Sequence, residues 1–181
     1  IDFSKCSGIS EQSIIKLIEE SNNSLIHVKL NECSQISSKT IIALADFSVL
    51  IETLELTKNV TIMDVDIVHL QNLTKLKTLV LTGCIRVKST SLIRLVQACP
   101  YLRHLNIDNT KLIDNKGAIE IAKYGKNLHE FSARNASVIS RETYDWIKQY
   151  RPQISFIIGT NNDMVTELTG NRHFLSGKLR T

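Results

Sequence analysis

The chain repeats itself about every 26 residues. Each copy reads apolar-x-x-apolar-x-apolar-x-x-(Cys/Asn/Thr/Ala)-x-x-(Ile/Val), beginning at Leu25, Ile51, Leu76, Leu102 and Leu128, with a partial copy at Ile154. The steps are 26, 25, 26, 26 and 26 residues. A unit this short cannot bury its own apolar face, so neighbouring copies must stack and bury it for one another. That makes a solenoid, and solenoids work through the surfaces they present.

Every unit has two halves. The first is short and alternating: Val28-Lys29-Leu30, Leu54-Glu55-Leu56, Leu79-Val80-Leu81, Leu105-Asn106-Ile107 and Phe131-Ser132-Ala133. Such alternation predicts a brief strand with one buried face. Ile1-Asp2-Phe3 fits the same columns, and Ile157-Ile158-Gly159 fits them less cleanly. The second half has helical spacing. Ile14, Ile15, Leu17 and Ile18 are expected to stack on Ile41, Ile42, Leu44 and Ala45, with Ile67, Val68, Leu70, then Leu92, Ile93, Leu95, Val96, then Ile119, Ile121 and Ala122 continuing the row. Pro100 and Pro152 sit where they stop two of these helices. Strand then helix, repeated, predicts parallel strands joined by crossovers. The expected architecture is an α/β horseshoe arc, with a parallel β-sheet on the concave side and α-helices on the convex side.

The copy Leu76-Lys77-Thr78-Leu79-Val80-Leu81-Thr82-Gly83-Cys84-Ile85-Arg86-Val87, with Leu92 and Ala98-Cys99-Pro100-Tyr101-Leu102 behind it, resembles the cysteine-containing leucine-rich repeat. Leu25 to Ile36, with Cys33, is the second copy of this kind. Such repeats occur in F-box proteins and in the yeast antagonist of mitotic exit. Asn59, Thr110 and Ala136 replace the ladder cysteine elsewhere; Asn and Thr are substitutes known in the family, and Ala136 marks the last copies as degenerate. The resemblance covers roughly residues 1 to 158 and implies a non-enzymatic protein-binding module.

Composition narrows the partners. The chain of 181 residues carries 22 Lys and Arg against 18 Asp and Glu, interleaved, so no basic footprint for nucleic acid stands out. No stretch approaches the roughly 18 apolar residues of a membrane span, and the first residues show no signal-peptide pattern. Of four cysteines, Cys6, Cys33 and Cys84 share one inward column, and Cys99 ends a helix. They read as reduced packing residues, and the expected compartment is cytoplasmic, nuclear or both. The glycosylation sequons at Asn22, Asn59, Asn72 and Asn135 are discounted, since Asn59 stands in the buried column.

A search for chemistry finds none. The histidines are His27, His69, His104, His129 and His173. His27 and His104 share a concave column but stand three strands apart, roughly 14 Å, too far to share a metal. No nucleophile, metal or phosphate motif is present. Tyr144, Asp145 and Trp146 read as end-cap packing. The expectation is therefore no enzyme, no metal and no cofactor.

The concave face is the candidate site. One column holds Lys29, Glu55, Val80, Asn106 and Ser132, led by Asp2. Beside it stand His27, Thr53, Thr78, His104 and Glu130. On the other side stand Asn31, Thr57, Thr82, Asp108 and Arg134, led by Ser4. The surface is mixed in sign with a small neutral middle, which suits a protein segment better than a phosphate backbone.

The resemblance implies the substrate-recognition part of an SCF-type ubiquitin-ligase receptor, or a cell-cycle regulator. The expected partners are a protein substrate or regulator and a ligase adaptor, the latter through an upstream region. The alternative is a scaffold or inhibitor without a ubiquitin link, or the repeat subunit of a DNA-repair complex, using the same face. Because Ile1 and Phe3 already occupy strand columns, the chain is expected to be the C-terminal part of a longer protein. Residues 1–159 form the repeat domain, about six repeats with the first incomplete. Residues 160–181, with Phe174-Leu175 between basic residues, read as a C-terminal tail, either free or docked back on the solenoid.

Overall fold

The computed structural model describes residues 1–136 and 139–159. The elements follow in strict alternation: α1 (Glu11–Glu20), β1 (His27–Lys29), α2 (Ser38–Phe47), β2 (Thr53–Glu55), α3 (Asp64–His69), β3 (Thr78–Val80), α4 (Ser89–Ala98), β4 (His104–Asn106), α5 (Asn115–Tyr124), β5 (Glu130–Ser132), α6 (Arg141–Tyr150) and β6 (Ser155–Ile157). The tail 160–181, and His173 with it, lies outside the described residues.

All six strands form one parallel sheet in chain order. The register runs Val28, Leu54, Leu79, Leu105, Phe131, Phe156 down one inward column. Each of these side chains is at most 7% exposed. Asp2 bridges to Lys29, so Ile1-Asp2-Phe3 does continue the sheet. Helices stack on the opposite side, each on its predecessor. The fold is the α/β solenoid that the periodicity predicts, in the leucine-rich-repeat form that the resemblance implies, with the sheet on its concave side.

One register differs from expectation. The sixth copy places Phe156, not Ile157, beside Phe131. Ile154 keeps its anchoring role, 3% exposed, but the chain between it and the strand is one residue shorter than in the other copies. The ring of Phe156 then packs 4.9 Å from Phe131 and 6.2 Å from Tyr144. Large aromatic rings occupy at β5 and β6 the column held by Val or Leu earlier. Tyr144 is buried and Trp146 packs against the core beside them, whereas Asp145 is exposed and meets Arg141 at 3.1 Å, so the packing expected of these three residues holds for the two aromatics alone. The Arg151 guanidinium adds a polar clamp, donating to the carbonyls of Ala122, Lys123, Gly125 and Lys126 at the end of α5.

The helix row also needs correction. Leu17 and Ile42 are each 37% exposed, not stacked in the core. Ile14, Ile15 and Ile18 face inward in α1, and Thr40, Ile41, Ala43, Leu44 and Ala45 in α2. The apolar stripe is narrower than the run of apolar letters.

Two devices tie repeats together. After each of the first strands the chain turns through a left-handed residue: Lys5, Glu32, Lys58, Gly83, Asn109 and Asn135 all have positive φ. This conformation costs an L-residue about 1–2 kcal/mol. In each case the N–H there donates to a carbonyl of the next repeat, at 2.6–2.8 Å for Lys58 to Thr82, Gly83 to Asp108 and Glu32 to Thr57. The second device alternates. Glu11 at the start of α1 accepts from the Ser37 N–H and the Ser37 and Thr40 hydroxyls of the next repeat, at 2.6, 2.7 and 2.8 Å. Asp64 does the same for the Lys88 N–H and Ser91, and Asn115 for the Ser140 N–H and Thr143. These acceptors stand at the first turns of α1, α3 and α5, so the helices interlock in pairs.

Candidate protein-binding face

Parallel pairing in register turns the three sequence columns into three rows across the sheet. His27, Thr53, Thr78, His104 and Glu130 are successive partners, as are Lys29, Glu55, Val80, Asn106 and Ser132. Asn31, Thr57, Thr82, Asp108 and Arg134 follow the strands. A strand of three residues with its middle side chain inward must present the other two on the opposite face.

Charges on this face are already paired with one another. Lys29 Nζ lies 2.9 Å from Glu55, and this contact raises the lysine above its usual range. Lys77 meets Glu52 at 2.7 Å, and their hydrogen bond holds the Glu52 carboxyl below its usual range. His104 lies 3.5 Å from Glu130, a full ion pair only when the imidazole is protonated. Asn31 donates to Glu55 at 2.9 Å and accepts the Thr57 N–H at 2.8 Å.

Two of the sequence-selected residues are not available surface. Ser132 is 2% and Asp108 is 7% exposed. The Asp108 carboxylate is used inside the fold: Oδ1 accepts from the Ser132 hydroxyl at 2.6 Å and the Arg134 N–H at 2.7 Å. Arg134 approaches Oδ2 of Asp108 at 3.9 Å, and Asn106 accepts from the Thr82 hydroxyl and the Asp108 N–H at 2.8 and 2.9 Å. These columns carry a structural network at the C-terminal part of the face.

Neutral side chains gather on β2 and β3 around Glu55: Thr53 pairs with Thr78, Val80 stands beside Glu55, and Thr57 follows Glu55 along β2, all four half-buried. No described residue hydrogen-bonds the hydroxyls of Thr53, Thr57 or Thr78. These three threonine hydroxyls and the valine offer donors, acceptors and methyl surface, and the one charge among them, Glu55, is already held by Lys29 and Asn31. Among the described residues no three His, Cys, Asp or Glu side chains cluster to hold a metal, and no helix is long and apolar enough to cross a membrane.

The cysteine column behaves as a ladder at two of its three positions. Cys33 and Cys84 are fully buried; Cys6 is only partly so. Cys33 Sγ donates to the Phe3 carbonyl and Cys84 Sγ to the Leu56 carbonyl, each at 3.1 Å. Burial pushes the Cys84 thiol up to about 11 and that of Cys99 to about 12. The left-handed turn row escaped sequence reasoning. Its one visible signal was Gly83 and the two asparagines, Asn109 and Asn135, at matching positions.

These features define a leucine-rich-repeat solenoid with a polar sheet face. No family model matches the sequence, and no curated protein matches it. Among solved structures, the chain is similar to a chain of the yeast Rad7–Elc1 complex, at 16% identity and TM-score 0.59, covering 82% of this chain and 44% of that one. It is also similar to the tropomodulin C-terminal domain of Caenorhabditis elegans, at 19% identity and TM-score 0.59, over 78% of this chain and 91% of the domain. An internalin, inlF, of Listeria monocytogenes matches at 16% identity and TM-score 0.54, over 84% of this chain and 45% of that one. The chain thus spans less than half of two of these neighbours, and the shared property is the fold.

Proposed function

We propose that this chain is a protein-interaction module that holds an extended segment of a partner protein across the sheet face. The observation that carries the reading is the neutral strip of Thr53, Thr57, Thr78 and Val80 around the already paired Glu55, its threonine hydroxyls without a partner among the described residues. A partner segment laid there displaces water without breaking an existing ion pair. The flanking pairs, Lys29–Glu55 and His104–Glu130, fix its edges.

Within this class, the cysteine-containing repeat pattern supports a substrate-recognition role in an SCF-type ubiquitin-ligase receptor or cell-cycle regulator. The adaptor contact would then be made outside residues 1–181. A scaffold or inhibitor, or a repeat subunit of a DNA-repair complex, would use the same strip without a ubiquitin link. Affinity capture with the full-length protein as bait, against a Thr78→Arg, Val80→Glu variant, separates these. An adaptor retained by both baits, with a second protein retained only by the parent, supports the receptor. A partner lost in the variant with no adaptor supports the scaffold. Equal retention of every protein by both baits contradicts the sheet-face reading.

A further inference from the structure

One lateral groove carries lysines without an ion-pair partner among the described residues. It opens between the starts of α4 and α5, about 450 Å³ in volume. Its floor is apolar: Ile93 packs on the core, while Leu112 stands 47% exposed. Its rim carries three exposed lysines, Lys88, Lys111 and Lys116. None of them has an ion-pair partner among the described residues, whereas Lys5, Lys29, Lys58 and Lys77 all do. Two carboxylates also line the groove. Asp114 is engaged by the Gly117 N–H at 2.8 Å and by the Ser89 hydroxyl at 3.4 Å, which leaves Glu120 as the one without a partner among the described residues.

The groove is held by backbone. Lys88 and Leu112 are bridge partners, so cation and apolar side chain stand side by side on adjacent repeats. Gly117 occupies the helix position that holds Ser13, Thr40, Asp66, Ser91 and Thr143 in the other copies. Any Cβ there would run into the Ser89 hydroxyl. Glycine weakens a helix interior relative to alanine, and here it brings α5 close to α4 and leaves the wall bare.

We propose that this groove is a second docking site, separate from the sheet face, for a short acidic segment of a partner protein carrying one apolar anchor. The anchor covers Ile93 and Leu112, and flanking carboxylates meet Lys88, Lys111 and Lys116. Charge complementarity sets the choice, because the groove offers three unpaired cations around an apolar floor and one free carboxylate. The same arrangement makes binding weaken as salt rises.

The test is an array of octapeptides in which one Leu, Ile, Met or Phe is flanked by Asp or Glu, read beside the same array with Asn and Gln in their place. The probe protein is residues 1–181. Acidic members should be retained about tenfold better than their amide counterparts. Retention should be lost in Lys111→Glu with Lys116→Glu, reduced in Leu112→Ser, and unchanged in Lys16→Glu on the exposed face of α1, with circular dichroism confirming the fold of each. Equal retention of acidic and amide members would overturn the proposal, as would binding that survives the double charge reversal. So would two other occupants: retention seen only after truncation at Gly159, which assigns the groove to the chain's own tail, or a dimer dissolved by the charge reversal, which assigns it to a second copy.

Discussion

Asn59 reaches back one repeat to Cys33: its buried side-chain oxygen accepts the Cys33 N–H at 2.9 Å, and its Nδ2 donates to the Leu30 carbonyl at 2.6 Å. One amide thus satisfies two backbone groups that have no water to turn to. Asn59→Ala strands both. Each orphaned buried group costs about 1–3 kcal/mol, so the variant should lose about 2–6 kcal/mol. Urea denaturation followed by circular dichroism measures this. A loss no larger than that of an exposed substitution would mean that the ladder is not an energetic link.

The thiols should sort by burial. Only the thiolate reacts, and burial raises its cost. Cys84, pushed up to about 11, and Cys99, to about 12, should label only as fast as the protein unfolds. Cys33, also raised by burial, should behave likewise. Cys6, partly exposed, should label first. Mass spectrometry after brief alkylation near pH 8 (about the ordinary thiol range) reads the order. Native labelling of Cys84 as fast as Cys6 would refute it.

Acid should loosen the α1–α2 pair. Desolvation pushes the Glu11 carboxyl up, but hydrogen bonds from Ser37 and Thr40 together outweigh it and leave it below its usual range. A depressed carboxyl stabilises the fold above its unfolded value and loses that contribution as pH falls through the folded value. Glu11→Gln should therefore cost about 1 kcal/mol at neutral pH. The gap between parent and variant should close as pH falls through and below the carboxylate range. A constant gap across pH would show that charge plays no part.

The left-handed row makes paired predictions. Gly83→Ala forces a Cβ into φ 72° and should destabilise by about 1 kcal/mol. Lys58→Gly relieves the same conformation at φ 57° and should stabilise by about 0.5–1 kcal/mol, part of the gain being offset by glycine's greater freedom when unfolded. Thermal melts of the two variants beside the parent decide it, and shifts of the same sign would contradict the assignment.

Leu81 tests the register of the sheet. It is fully buried, and Leu81→Ala should cost about 2–5 kcal/mol. A change below about 0.5 kcal/mol, the size found at exposed sites, would place it on the wrong face.

The sheet was legible because its signal is redundant: the same inward column recurs from Val28 to Phe131, and one misread copy does not alter the rest. It failed at the last copy, where a single deleted residue moved the column from Ile157 to Phe156. Fixed spacing cannot anticipate that, although the aromatic match with Phe131 hinted at it. The helix row was read too broadly, because apolar letters such as Leu17 and Ile42 satisfy the period without reaching the core. On the sheet face the strand register aligns the residues in the expected columns, but the fate of Asp108 and Ser132 was not foreseen. Their burial depends on hydrogen bonds between repeats about 24–26 residues apart, and a column of letters does not show which polar groups satisfy one another.

The central claim is that a partner lies on the neutral threonine strip. It is tested most directly by placing a photo-crosslinking residue at Thr78 of the full-length protein, with a second variant carrying it at the exposed Gln97 of α4. The partner captured by the parent bait should crosslink strongly through position 78 and not through position 97. Crosslinking through position 97 with none at position 78 would place the partner on the helices and contradict the account.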